Sequence, residues 1–267
     1  MLGCADMLMD QIEEGFMMKT SFVIRVASFG VLATLLTTLW KPVPAMAQTA
    51  GTAPKKAVDP ALLPIEDDPK LPRVFLIGDS ISIGYTLPVR ELLRGKANVH
   101  RPPVNSSSSN IGLRYLDRWL GEGKWDVIHF NFGLHDLKYI DDKGTLVSPE
   151  KGKQVSTIAH YQENLRAISQ RLKKTGARVI WGAVTPVPQG TTGRVAGDEL
   201  RYNEAAAQVM REEGIAINDL HAVAMKDIAT YQLPRNVHFT KEGSQALAEA
   251  VAAQIEKALP VTAPAVQ

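Results

Sequence analysis

Three stretches of the chain carry side chains able to do nucleophilic chemistry, and each lies beside an apolar run. In Arg73-Val-Phe-Leu-Ile-Gly78-Asp79-Ser80-Ile81-Ser82 a strand candidate runs straight into Gly-Asp-Ser. A serine there sits at the carboxyl edge of a sheet. Glycine permits a sharp turn, and a following helix would aim its N–H groups and positive end at an anion formed beside Ser80. Taken alone, the tripeptide reads equally well as a helix cap made by Asp79 or Ser80. In Trp125-Asp-Val-Ile-His-Phe-Asn-Phe-Gly133-Leu134-His135-Asp136 a second strand ends in a polar cluster, which brings His135 and Asp136 to the same edge. His129, inside that strand, reads as structural. In Leu233-Pro-Arg235-Asn236-Val237-His238-Phe239-Thr240-Lys241-Glu242-Gly243 a loop delivers His238 just ahead of an amphipathic helix for which Thr240 is a credible cap. A late histidine facing an early serine suits acyl transfer. The imidazole takes the serine proton during attack and returns it to the leaving alcohol.

These residues meet only if a sheet brings their loops to one edge. Short, mostly apolar runs at Arg73–Ile77, Ala97–His100, Asp126–Asn131, Arg178–Ala183 and Ile215–Asn218 read as buried parallel strands. Helical periodicity follows at Leu87–Leu93, Gly112–Leu120, Ile158–Lys174, Asp198–Glu213 and Lys241–Leu259; in the third, Ile158, Tyr161, Leu165, Ile168 and Leu172 would face the sheet. Alternating strands and helices with right-handed crossovers predict an α/β fold, a three-layer α/β/α sandwich on a five-stranded parallel sheet of flavodoxin-like kind, with ligands at the carboxyl ends of the strands. The serine-rich patch Ser106–Ser109 reads only as a turn-prone loop.

In order and spacing the three blocks resemble the SGNH hydrolases, also called GDSL-like lipases and acylhydrolases, over about Arg73 to Leu259. The resemblance implies a serine esterase in which Ser80 is the nucleophile, its own N–H serves the oxyanion hole, and His238 is the base. It implies Gly112, in Asn110-Ile-Gly-Leu113, as a second oxyanion donor through its N–H. Asp79, Asp136 and Asn236 are the expected supporting residues. Two positions depart from the family pattern. The third block is usually Gly-x-Asn-Asp, whereas Gly133-Leu134-His135-Asp136 has histidine where the donor asparagine stands. An imidazole N–H can donate too, provided the right nitrogen is protonated, and Asp136 or another acceptor is a candidate to fix the tautomer. The last block normally has aspartate three residues before its histidine, and position 235 is arginine. The candidates to orient His238 are Asn236, a backbone carbonyl, or a carboxylate from elsewhere such as Asp219.

The expected activity is hydrolysis of short acyl esters, O-acetyl groups foremost, on a small molecule or a carbohydrate, with no cofactor and no metal. Alternatives left open are a lipase or thioesterase preference, O-acyl transfer to a sugar hydroxyl, and a catalytically impaired carbohydrate-binding protein. A metal hydrolase built on His135, Asp136 and His238 lacks any ligand-like spacing. Arg201, Tyr202 and Asn203 read as packing or solvated residues, and Trp119, Trp125 and Trp181 as packing rather than sugar platforms.

Composition is consistent with this. The chain has 267 residues, 45% hydrophobic and 22% charged, with a formal charge of +2. Its cations are interspersed with acids, so there is no footprint for nucleic acid. Residues 1–47 read as a signal peptide: Lys19 and Arg25 precede an apolar stretch from Val26 to Trp40, and Ala45-Met46-Ala47 supplies a cleavage pattern. The stretch is shorter than the ~20 apolar residues of a membrane span, and Thr37 and Thr38 interrupt it. Acidic residues before Met17 and Met18 suit a signal n-region poorly, so either methionine is a candidate start. Export to the periplasm or the medium is expected, without stable membrane insertion after cleavage, and loss of Cys4 with the leader would leave a chain tolerant of oxidising conditions. Residues 48–72 form an Ala/Pro-rich tether or strap whose composition predicts no packed element. Residues 73–260 form the domain, and 261–267 a tail.

Overall fold

The computed structural model describes residues 58–260. The leader, its cleavage pattern, the first part of the 48–72 run and the 261–267 tail lie outside them. The described chain runs β1 (Arg73–Ile77), α1 (Ser80–Leu92), β2 (Asn98–His100), α2 (Ser109–Leu120), β3 (Val127–Phe130), β4 (Tyr139–Ile140), β5 (Lys153–Gln154), α3 (Ile158–Lys173), β6 (Arg178–Gly182), α4 (Asp198–Glu213), β7 (Ala216–Asn218), α5 (Leu220–Met225), α6 (Ile228–Tyr231) and α7 (Lys241–Ala258). Five strands form one parallel sheet in the order β2-β1-β3-β6-β7. This is the flavodoxin-like order.

In β1, Val74, Phe75, Leu76 and Ile77 are all buried, because helices cover both faces of the sheet. On one side α1 packs along α7; on the other, α3 packs between α2 and α4. Tyr161, Leu165, Ile168 and Leu172 of α3 are fully buried, as their spacing predicts. The chain leaves β1 for β2 on one side and returns to β3 on the other. The loops after β1 and β3 therefore diverge and open a crevice at their carboxyl ends, where a parallel sheet of this order takes its ligands.

Two helices start earlier than periodicity indicates. Helix α1 begins at Ser80 rather than Leu87, because Asp79 caps it through Ile81 N–H at 3.0 Å. Its polar Ser82 and Thr86 are buried and mask the apolar pattern. Helix α2 begins at Ser109 rather than Gly112 and takes its cap from Asp136, a residue distant in sequence. The two-residue strands β4 and β5 and the short α5 and α6 are below the length at which periodicity gives a signal.

Residues of the Ala/Pro-rich run within the described part pack on the domain. Pro60–Leu62 is a 3₁₀ turn capped by Asp59, with Ala61 buried. Asn98 Nδ2 donates to the carbonyls of Asp68 and Leu71, and Arg90 to that of Leu63 at 3.1 Å.

Candidate active site

The β1–α1 turn is built tightly. Gly78 has no side chain because a Cβ there would lie 2.8 Å from Cβ of Ser82. The requirement is space rather than an unusual backbone angle. Buried Arg101, just beyond β2, clamps this turn: its Nη1 donates to Ser82 Oγ at 3.0 Å and Thr86 Oγ1 at 2.7 Å, and its Nη2 to the Gly78 carbonyl at 3.2 Å. Below Ser80, Asp79 is 1% exposed and its Oδ2 has no hydrogen-bond partner. Burial pushes its carboxyl up to about 6, against the opposing pull of its bond from Ile81 N–H and of the charges of Arg194 and Arg101. Ser80 is the first residue of α1, so its N–H belongs to the set that a helix leaves without an internal acceptor.

Ser80 Oγ lies 2.9 Å from Nε2 of His238. On the other side of the ring, Nδ1 lies 2.8 Å from Oδ1 of Asn236, which also accepts from the His238 backbone N–H at 3.0 Å. A backbone N–H can only donate, so the Asn236 atom at that point is its oxygen. Nδ1 therefore carries the proton, and Nε2 turns a lone pair to Ser80. Of the alternatives open in the sequence, the structure selects Asn236. Asp219 caps α5 through Ala222 N–H instead.

The loop is closed by a bridge between Gln232 and Phe239, a bond from Leu233 N–H to the His238 carbonyl at 2.9 Å, and Gln232 Nε2 on the Pro186 and Val237 carbonyls. Arg235 has φ of 57° and sends its side chain against Gly190. The contact to Nδ1 of His238 is made from position 236.

After β3 the chain turns at Gly133, whose φ of 149° only glycine adopts readily and where a Cβ would lie 2.2 Å from Val184. His135 follows, 5% exposed, with Nδ1 3.2 Å from Ser107 Oγ. Burial first, then the charges of Lys138, Arg194 and His238, hold its pKa well below the ordinary value, so the ring is neutral. Asp136 does not fix the His135 tautomer. Both its oxygens accept from Ser109 N–H, and Oδ1 accepts from the Ser109 hydroxyl at 2.5 Å. Burial pushes this carboxyl up to about 6 as well.

The serine patch is therefore more than a loop. Ser106 donates its N–H to the Gly78 carbonyl at 3.2 Å, Ser107 meets His135, Ser108 is the N-cap position of α2, and Ser109 binds Asp136. Gly112 is not an oxyanion donor. Its N–H donates within α2 to the Ser108 carbonyl at 2.9 Å, and its missing Cβ makes room for the ring of Phe132, 2.4 Å from where that atom would stand.

Sequence reasoning missed Arg101, Arg194 and Ser107. Arg194 donates its Nε–H to the Leu134 carbonyl at 2.9 Å. An arginine at the carboxyl end of a strand, as in His100-Arg101-Pro102, was a usable signal for the first; the other two sit in segments without periodicity. Asn203, by contrast, ties the backbone of Val184 at 2.7 and 2.9 Å, and Tyr202 and Trp181 are buried, so their packing roles stand. Among the described residues no cluster of three His, Cys, Asp or Glu side chains could hold a metal ion, and no helix is long and apolar enough to cross a membrane.

A family model described as GDSL-like lipase/acylhydrolase matches residues 76–246. No curated protein matches the chain. Among solved structures, a lipase/acylhydrolase from Enterococcus faecalis is similar at 17% identity and a TM-score of 0.58, over 72% of this chain and 100% of its own. An acetylxylan esterase from Geobacillus stearothermophilus is similar at 17% identity and 0.57, over 72% and 97%. An α/β hydrolase from the metagenome of Lake Arreo, Spain, is similar at 15% and 0.56, over 71% and 97%.

Proposed function

Because the chain belongs to the GDSL-like lipase/acylhydrolase family, and is thus an ester hydrolase, we propose that it cleaves short acyl esters, O-acetyl groups on carbohydrate foremost, through an acyl-enzyme on Ser80. The observation that carries this reading is the 2.9 Å contact between Ser80 Oγ and a His238 Nε2 left unprotonated by Asn236. Ser80 Oγ bonds to the ester carbonyl carbon while its proton passes to Nε2. The carbonyl oxygen takes the charge and is met by the Ser80 N–H at the positive end of α1 and by an N–H of His135. Collapse breaks the bond to the alcohol, which leaves with the proton from His238. Water, deprotonated by His238, then attacks the acyl carbon, and the carboxylic acid departs as Ser80 recovers its proton.

The acetyl and carbohydrate assignments draw support from the fold likeness to an acetylxylan esterase and from the export expected of a leader in residues 1–47. The intact Ser80–His238–Asn236 geometry favours a working enzyme over a binding module. The test is hydrolysis of p-nitrophenyl acetate and acetylated xylo-oligosaccharides by the parent, Ser80→Ala and His238→Ala. Loss of turnover in both variants supports the reading, and a Ser80→Ala protein as active as its parent rejects it.

A further inference from the structure

An asparagine amide offers a hydrogen-bond donor in whatever state its surroundings leave it. Neutral histidine does not: its proton sits on Nδ1 or on Nε2, and in the wrong form the ring turns a lone pair toward an oxyanion and repels it. His135 stands at the sequence position of the family's donor asparagine and is neutral, so something must choose its tautomer. Asp136, the adjacent acid, is engaged with Ser109. What touches the ring is Ser107, whose Oγ lies 3.2 Å from Nδ1. His135 Nε2 is neither hydrogen-bonded within the described residues nor sealed from solvent.

Ser107 is itself held in an unusual way. Its φ is 53°, a left-handed conformation that costs a non-glycine residue about 1 kcal/mol. Its N–H is fixed on Asn105 Oδ1 at 2.9 Å. A glycine would adopt this backbone at lower cost, yet the chain carries a hydroxyl here, aimed at the imidazole. Strain of this kind gathers at functional sites.

We propose that Ser107 is a positioning residue whose hydroxyl donates to Nδ1 of His135, so that Nε2 bears the proton and offers it to the oxyanion. This rests on the acyl-enzyme reading of Ser80. A half-buried serine and a buried histidine together thereby do the work of an asparagine amide.

Two measurements on the full chain test it. In ¹⁵N-histidine NMR, with His135 assigned by its absence in His135→Asn, the ring is expected with Nε2 protonated in the parent and a mixture of tautomers in Ser107→Gly, a change the left-handed backbone accepts. A parent spectrum with Nδ1 protonated overturns the proposal whether or not the protein hydrolyses esters. In a double-mutant cycle, Ser107→Gly is expected to lower kcat roughly tenfold with KM little changed, a fraction of what losing a whole oxyanion donor costs. The same change in a His135→Asn background, where the amide needs no tautomer, is expected to cost less than about twofold, since the coupling partner is gone. Equal losses in both backgrounds would make Ser107 merely structural and sink the idea. Ser80→Ala serves as the separate control, because its undiminished activity rejects the acyl-enzyme reading and leaves the tautomer measurement standing.

Discussion

A carboxylate beside the imidazole of a serine hydrolase does two things: it holds one tautomer, and it stabilises the imidazolium formed when the serine proton arrives. Asn236 does the first fully and the second only as a neutral dipole. Its oxygen is pinned by the His238 N–H, so the tautomer is right, but no negative charge meets the developing cation. A charge-assisted hydrogen bond is worth about twice a neutral one, a gain of roughly 1–2 kcal/mol. Asn236→Asp is therefore expected to raise kcat on p-nitrophenyl acetate by about tenfold. Asn236→Leu, which loses the tautomer lock as well, is expected to fall at least about 10²-fold below the parent. Steady-state kinetics on the two variants check both, and an Asn236→Asp protein slower than its parent would show that the neutral amide is the better partner in this loop.

Secondary structure here is held in place at its ends by residues from other elements. Helix α2 starts where Asp136 accepts from Ser109, so the loop after β3 and the first turn of α2 form one unit. Asp136→Ala leaves a buried helix N–H and a buried hydroxyl without an acceptor, and the expected loss is about 2–4 kcal/mol in urea unfolding, above that of an ordinary exposed cap. The turn that carries Ser80 depends likewise on Arg101, which joins Gly78 to the buried face of α1. Arg101→Met is expected to cost about 2–4 kcal/mol of stability, since the buried Ser82 and Thr86 hydroxyls lose their donor and the Gly78 carbonyl keeps only the Ser106 N–H. It is also expected to lower kcat more than it raises KM, because a nucleophile displaced by about 1 Å can lose roughly 10²-fold. Unchanged kcat in a folded Arg101→Met protein would show that β1 and α1 hold the turn unaided.

Across the whole molecule, buried ionisable groups of opposite sign titrate in one pH window. Asp79 and Asp136 are pushed up to about 6, so the folded state binds protons that the unfolded chain releases; their contribution is present below the ordinary carboxylate pKa and is lost as pH rises through about 6. His129, pushed down to about 4 by burial, and His135 act in the opposite direction, adding stability as pH rises toward the ordinary histidine value. Asp79→Asn removes one falling contribution, so between about pH 4 and 6 its unfolding free energy should climb more steeply with pH than the parent's, by up to about 1.4 kcal/mol per unit. Urea unfolding across that range reads the difference, and parallel profiles would mean Asp79 titrates alike folded and unfolded. At this scale the sequence by itself determined the five parallel strands, the long helices that follow them though not where the first two begin, and the loops that carry Ser80, His135 and His238, because buried strands and amphipathic helices write their periods into the chain and a parallel sheet gathers its carboxyl ends at one edge. Only the tertiary structure decided that Asn236 meets Nδ1 of His238, that Gly112 spends its N–H inside a helix, that Ser107 meets His135, and that Arg101 clamps the turn carrying Ser80. Each of those depends on the direction of a side chain or an amide in a loop or at a helix end, where no repeating pattern exists and partners up to tens of residues distant in the chain fix the geometry.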